Sequence, residues 1–190
     1  MQTLDLETLT LTMGSHENAA DGFCVMEAVA YIAGEPWSDK PQCVSPVIAA
    51  FLRSYNDSVN DEVRQSLKQY IPRLVGTQGS AALEERRSLI AADWLVRVHT
   101  PAWLRLAGLT VQADALASLP QITSMDQIPS IKGPIEVARD NASAAWIAAG
   151  YAAGYAAGDA DWIAARSAAS QATIPALIAR MLTATEESLQ

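Results

Sequence analysis

This chain has few of the residues that carry most enzyme chemistry: two cysteines and two histidines among 190 residues. It has no glycine-rich phosphate loop, no Gly-x-Ser-x-Gly elbow and no His-Glu-x-x-His pair, so the enzyme classes marked by such motifs are not indicated. Basic residues are short as well, with 13 Lys and Arg against 21 Asp and Glu, a net charge of −8. Broad binding of nucleic acid or of anionic membranes needs clustered cations and is not expected. The acidic balance favours solubility and suits a basic protein partner. A membrane-spanning run is also missing. The longest apolar stretch, Ala144–Gly158, has about fifteen residues and is broken by glycine, where a bilayer needs roughly 20. No basic segment followed by an apolar run marks a secretory signal, so the cytoplasm is the expected compartment and the thiols are expected to be reduced.

What is present reads as helix. Apolar residues make up 50% of the chain and charged residues 18%, enough for a packed core. Leu4, Leu6, Leu9 and Leu11 nearly alternate, but the step from 6 to 9 is odd, which predicts a bulged short strand or an extended arm. Asp21 offers an N-cap to a helix striped by Val25, Ala28, Val29 and Ile32, which Gly34 stops. Ser45-Pro46 opens a second helix with Val47, Ile48, Phe51, Leu52 and Tyr55 inward. Asn60-Asp61-Glu62 starts a third, which Pro72 kinks or ends. A long helix from Ser80 carries Glu84, Glu85, Arg86 and Arg87 mostly outward and is broken by Pro101. A short helix over 109–119 follows.

The expected fold class is mostly α: an irregular multi-helix bundle with an N-terminal extended segment and a C-terminal Ala/Gly-rich helical hairpin. Its expected division is a core domain over 1–119, a Pro-rich connection over 120–134 and a hairpin over 135–190 packed on the core. The hairpin repeats Trp146-Ile147-Ala148-Ala149 as Trp162-Ile163-Ala164-Ala165. Gly150, Gly154 and Gly158 recur at four-residue spacing, exposing backbone against which another helix or a second subunit can press.

Reactive side chains concentrate in residues 14–57. Cys24 lies at the start of its helix, where free amides and the dipole favour a thiolate. His16 or His99 would serve as base, with Glu27, Glu35 or Asp39 as the acid that orients it, a cysteine-nucleophile arrangement. The neighbours Val25, Ala28 and Val29 favour instead a small buried hydrophobe. His16, Cys24 and Cys43 also form a weak candidate zinc set, lacking the close ligand pairs zinc sites usually show; no cofactor is expected. Glu27 on an apolar helix needs a partner, for which Arg53, Arg73 or Lys40 are available. His99 reads as a helix-end residue. Trp37, with Asp39 and Cys43 in the Pro-rich loop 35–45, either clamps that loop or faces a binding partner.

The stretch Gly22–Phe51, continuing into Tyr70–Thr77 and Glu84–Arg87, resembles a group of uncharacterised proteins from actinobacteria and their phages. The resemblance covers roughly residues 14–105. It implies a phage, prophage or mobile-element setting and brings no activity or site residues with it. The leading functional expectation is a non-enzymatic accessory protein acting through protein–protein contacts. The alternatives are a small cysteine- or metal-dependent enzyme using Cys24 with His16 or His99, and an oligomeric structural component joined through the glycine face.

Overall fold

A computed structural model describes residues 3–152 and 159–189, with side-chain surroundings for 3–144 and 171–187. The fold is mostly α. Its helices are α1 (Val25–Ala33), α2 (Pro46–Ser58), α3 (Asp61–Gln65), α4 (Ile71–Leu74), α5 (Ala81–Trp94), α6 (Thr100–Leu106), α7 (Thr110–Ala117), α8 (Ile128–Ala152) and α9 (Asp159–Thr183). Among the described residues the only extended pairing is an isolated parallel bridge between Leu11 and Phe23. Chain contacts divide the protein into two compact units, Met1–Arg87 with Met181–Gln190, and Ser88–Arg180. The division falls inside α5 and α9, whereas the sequence suggested a boundary over 120–134.

The first unit is built around α1, which packs on α2 and α4. Cys24, not Asp21, is its N-cap: the Glu27 N–H donates to Cys24 Sγ while the Glu27 carboxylate accepts from the Cys24 N–H. Gly34 closes the helix at φ 74°, its N–H returning to the carbonyls of Ala30 and Tyr31, a left-handed cap that suits glycine. Ser45 caps α2 by accepting from the Ile48 N–H, and Ile48, Leu52 and Tyr55 are buried along it as the periodicity indicates. After α3 the chain tightens into a 3-10 turn, Ser66–Tyr70, before α4. Pro72 lies in the first turn of α4, where its missing N–H costs nothing.

The odd step between Leu6 and Leu9 is a turn. Asp5 accepts from the Glu7 N–H and from the Thr8 hydroxyl, and the Leu9 N–H closes back on the Asp5 carbonyl. Leu9 and Leu11 then enter the core. Among the described residues no strand lies beside the arm; beyond the turn, and apart from the Thr12 N–H, which donates to the Phe23 carbonyl, its backbone is met by side chains. Gln65 accepts from the Leu11 N–H and donates to the Leu11 carbonyl, both at 2.9 Å. Asn56 donates to the Thr12 carbonyl, and Asp57 accepts from the Gly14 N–H.

Arg87 corrects the outward assignment of the Glu84–Arg87 run, because it is 3% exposed. Its guanidinium pairs with Glu84 and donates to the carbonyls of Thr77, Met181 and Ala184. Glu186 accepts from both the backbone and the hydroxyl of Ser80, tying the C-terminal segment to the turn before α5.

In the second unit Pro101 does not break the helix. It cannot donate to the carbonyl one turn back, and the chain accommodates it with a π-helical turn, Leu95–His99, leading directly into α6. His99 therefore sits inside a continuous helical path, stacked on Trp94 with ring centroids 4.5 Å apart and against Trp103 at 5.1 Å. Leu104, Ala113, Leu116 and Ala138 form one apolar cluster of α6, α7 and α8. Leu89, Ile122 and Ile131 form another. The Pro-rich segment 120–134 thus contributes core: Ser124 and Gln127 make a capping box that leads into α8. The expected turn of the C-terminal hairpin, with Gly154 and Gly158, lies outside the described residues, as do the surroundings of Gly150, Trp146 and Trp162.

Asp93 organises this unit. It is buried, accepts from the Ile122 N–H at 3.0 Å and pairs with Arg97 and Arg180. Burial alone would raise its pKa, but the bonds from Arg97, Ile122 and Arg180 hold it below the ordinary carboxylate range. Asp93→Ala leaves these donors without their acceptor. The expected loss is about 2–3 kcal/mol in urea unfolding, the range for a broken buried pair with partly solvated partners.

Candidate functional site

The start of α1 brings His16, Cys24 and Glu27 together. Glu27 is 1% exposed, so its carboxylate must be satisfied within the protein. One oxygen accepts from the His16 backbone N–H at 2.6 Å. The other faces His16 Nδ1 at 2.7 Å and accepts from the Cys24 N–H at 2.8 Å. Its partner is therefore His16 and not Arg53, Arg73 or Lys40. The far ring nitrogen, His16 Nε2, lies 2.8 Å from Thr12 Oγ1.

A hydroxyl, an imidazole and a carboxylate thus stand in a row, the order found in nucleophile–base–orienter sets. The hydroxyl, however, lies under backbone. Gly22 has φ 135°, and a Cβ there would fall 2.8 Å from Thr12 Oγ1 and 2.9 Å from His16 Nε2. Thr12 Oγ1 also lies 3.3 Å from the Phe23 carbonyl, close enough to donate to it. Only glycine allows the chain to pass so close to the pair, and the Thr12 hydroxyl is already engaged by His16 and within reach of the Phe23 carbonyl. Gly22 and Thr12 carry no sequence signal of this role, since neither belongs to a spacing that marks chemistry.

The thiols are likewise turned inward. Cys24 is 2% exposed, and its Sγ accepts the Glu27 N–H at 3.4 Å in place of meeting an imidazole. Burial first, then the nearby Glu27 charge, pushes its pKa from 9.0 up to about 12, against the lowering effect of the Glu27 N–H. This is the reverse of a thiolate nucleophile. Cys43 is half-buried and also raised, by burial and by its hydrogen bond to Glu35. His99 belongs to the Trp94–Trp103 stack in the second unit. Among the described residues no three His, Cys, Asp or Glu side chains are grouped so as to hold a metal. Both Glu27 oxygens already face N–H donors, and Cys43 is bound to Glu35.

Trp37 connects this cluster to the loop that follows. Its indole N–H donates to the His16 carbonyl at 2.8 Å, and its ring meets Phe23 edge-on at 5.0 Å. Of the two roles the sequence left open, the ring clamps the loop. Glu35 accepts from the backbone N–H groups of Gln42 and Cys43, and Arg53 donates to the Asp39 carbonyl and faces its carboxylate at 3.7 Å. At the far end the Gln78 N–H donates to the Cys43 carbonyl, and the Ser45 N–H donates to the Thr77 hydroxyl.

The fixed loop forms one wall of a cleft of about 240 Å³. The other wall is one face of α2, where Pro46, Ala49 and Arg53 recur at helical spacing. Lys40, Pro41, Gln42 and Val44 line the loop side, and Gln78 closes one end. The sequence pointed to Trp37, Asp39 and Cys43 in this loop. None of the three lines the cleft: Trp37 donates to the His16 carbonyl, the Cys43 N–H donates to Glu35, and Asp39 faces Arg53.

Two outcomes are expected. The folded protein holds the Cys24 proton more tightly than the unfolded chain, so the associated stability is complete below pH 9 and is lost as the pH rises towards 12. Denaturation midpoints should fall over that window and fall less steeply for Cys24→Ser, with native Cys24 inert to iodoacetamide at pH 8. Glu27→Gln sets an amide NH₂ against N–H groups that need an acceptor, and is expected to cost roughly 3 kcal/mol in urea unfolding.

Comparison with known proteins finds no matching family model, no similar curated protein and no similar solved structure.

Proposed function

We propose that this protein is a non-enzymatic accessory factor that binds another protein through the cleft beside the 35–46 loop. The observation that carries the reading is the contrast between the two parts of the motif-rich region. The reactive groups, Thr12, His16, Cys24 and Glu27, are engaged in hydrogen bonds with one another. The loop they support is held at both ends and presents Lys40 and Gln42 to solvent, beside exposed Gln78. A rigid loop meets a partner without a large ordering cost, which favours recognition. Among the described residues no helix is long and apolar enough to cross a membrane, in keeping with a partner met in solution. The resemblance of Gly22–Phe51 to proteins of actinobacteria and their phages supports a phage or mobile-element setting.

A photo-crosslinking amino acid placed at Gln42, and separately at exposed Ser130 as a control, tests this in cells that naturally make the protein. A discrete protein adduct from position 42 and none from 130 is expected. Equal labelling at both, or none at 42, rules the reading out.

A further inference from the structure

We infer that the cleft receives an extended acidic segment of the partner, a side-chain carboxylate meeting Lys40 and Arg53 while small apolar groups cover Pro41, Val44 and Ala49. This rests on the protein-binding reading and adds the chemistry of what is bound. Size limits the occupant first. A cleft of about 240 Å³ falls below the ~300–1,000 Å³ usual for drug- and cofactor-sized ligands. It takes one or two side chains of a segment lying across it, not a whole cofactor or helix.

Charge limits it next. The chain has 21 acids to 13 bases, yet the cleft is lined by Lys40 and Arg53 and by no Asp or Glu. The nearest acids are engaged by the loop itself. Glu35 accepts the N–H groups of Gln42 and Cys43, and Asp39 faces Arg53 Nε at 3.7 Å. Arg53 uses Nη1 on the Asp39 carbonyl, which leaves Nη2 donors of its planar fork for a second carboxylate. Lys40 is exposed and its ammonium makes no hydrogen bond or ion pair among the described residues. Val44 and Ala49 are buried and share the cleft lining with these cations, so the site combines apolar surface with positive charge. The exposed amides of Gln42 and Gln78 can pair with the backbone of an extended segment. A nucleic-acid strand offers anionic groups too, but its phosphates continue past the cleft onto a surface of net charge −8.

The test is a titration of the full-length ¹⁵N-labelled protein with the capped peptide acetyl-Ala-Val-Glu-Asp-Ala-amide, followed by amide shifts. Acetyl-Ala-Val-Lys-Lys-Ala-amide is the control. Expected are shifts confined to the 40–46 loop, Ala49, Arg53 and Gln78, with a dissociation constant of about 1 mM that weakens as salt rises. Lys40→Glu, at an exposed side chain the fold does not use, should weaken binding at least ~5-fold, and Arg53→Gln should act in the same direction. Equal binding of the lysine peptide, shifts located elsewhere, or indifference to Lys40→Glu overturns the inference. A cross-link from Gln42 without any effect of the acidic peptide leaves the protein-binding reading standing and removes the acidic segment alone. Absence of both removes both.

Discussion

The buried Glu27 carboxylate is the constraint on which the first unit depends. An isolated carboxylate withdrawn from water costs several kcal/mol, and the cost falls only when its lone pairs meet donors. Here the donors come from two places in the chain: Cys24, where α1 begins, and His16, eleven residues before Glu27. The same group therefore caps a helix and holds the end of the N-terminal arm. The arm in turn lies where Gln65, Asn56 and Asp57 can satisfy its backbone without a neighbouring strand. If the arm lifts away, Glu27 loses His16, and Gln65, Asn56 and Asp57 each lose their bond to the arm's backbone.

Other buried charges follow the same logic with backbone as the counterpart. Arg64 is 4% exposed and donates to the carbonyls of Asn56 and Val59 as well as pairing with Asp61. It collects carbonyls that the end of α2 leaves without helical partners. Arg87 does the same for Met181 and Ala184 at the end of α9, where a cation also meets the negative end of the helix dipole. In the second unit Asp93 takes the complementary part, an anion holding one backbone N–H and two arginines. In each case the charge is fixed by groups that helix ends or loops would otherwise leave unsatisfied.

The starts of α2 and α3 were legible because capping chemistry is local: Ser45 with Pro46 and Asn60 with Asp61 need only their own next three residues. By contrast, α1 is capped by Cys24 and not Asp21, and α8 begins at Ile128, ahead of the expected 135. The grouping of His16, Cys24 and Glu27 was also legible, since they lie close in sequence around a helix start. The neighbours of Cys24 also favoured a buried thiol, as found. The pairing of Glu27 with His16 was not legible, because it depends on how the arm folds back, where Gly22 passes close to Thr12 and His16 and one glycine reads as loop. Arg87 escaped for a similar reason. Its burial follows from carbonyls about a hundred positions away in the chain, which no periodicity encodes. Pro101 was read as a break because the sequence shows the missing donor but not the π-helical turn that absorbs it.

A cluster of histidine, cysteine and glutamate invites a catalytic assignment because those residue types are costly to keep buried. In this chain the cost has a structural return. Glu27 positions His16, the His16 carbonyl receives the Trp37 indole N–H, and Trp37 fixes the start of the loop that walls the cleft. Pre-organising that wall lowers the entropy lost on association. The chemistry-rich residues and the exposed cleft are then two ends of one path of contacts, and on the proposed protein-binding reading the cations and amides at the outer end supply the selectivity.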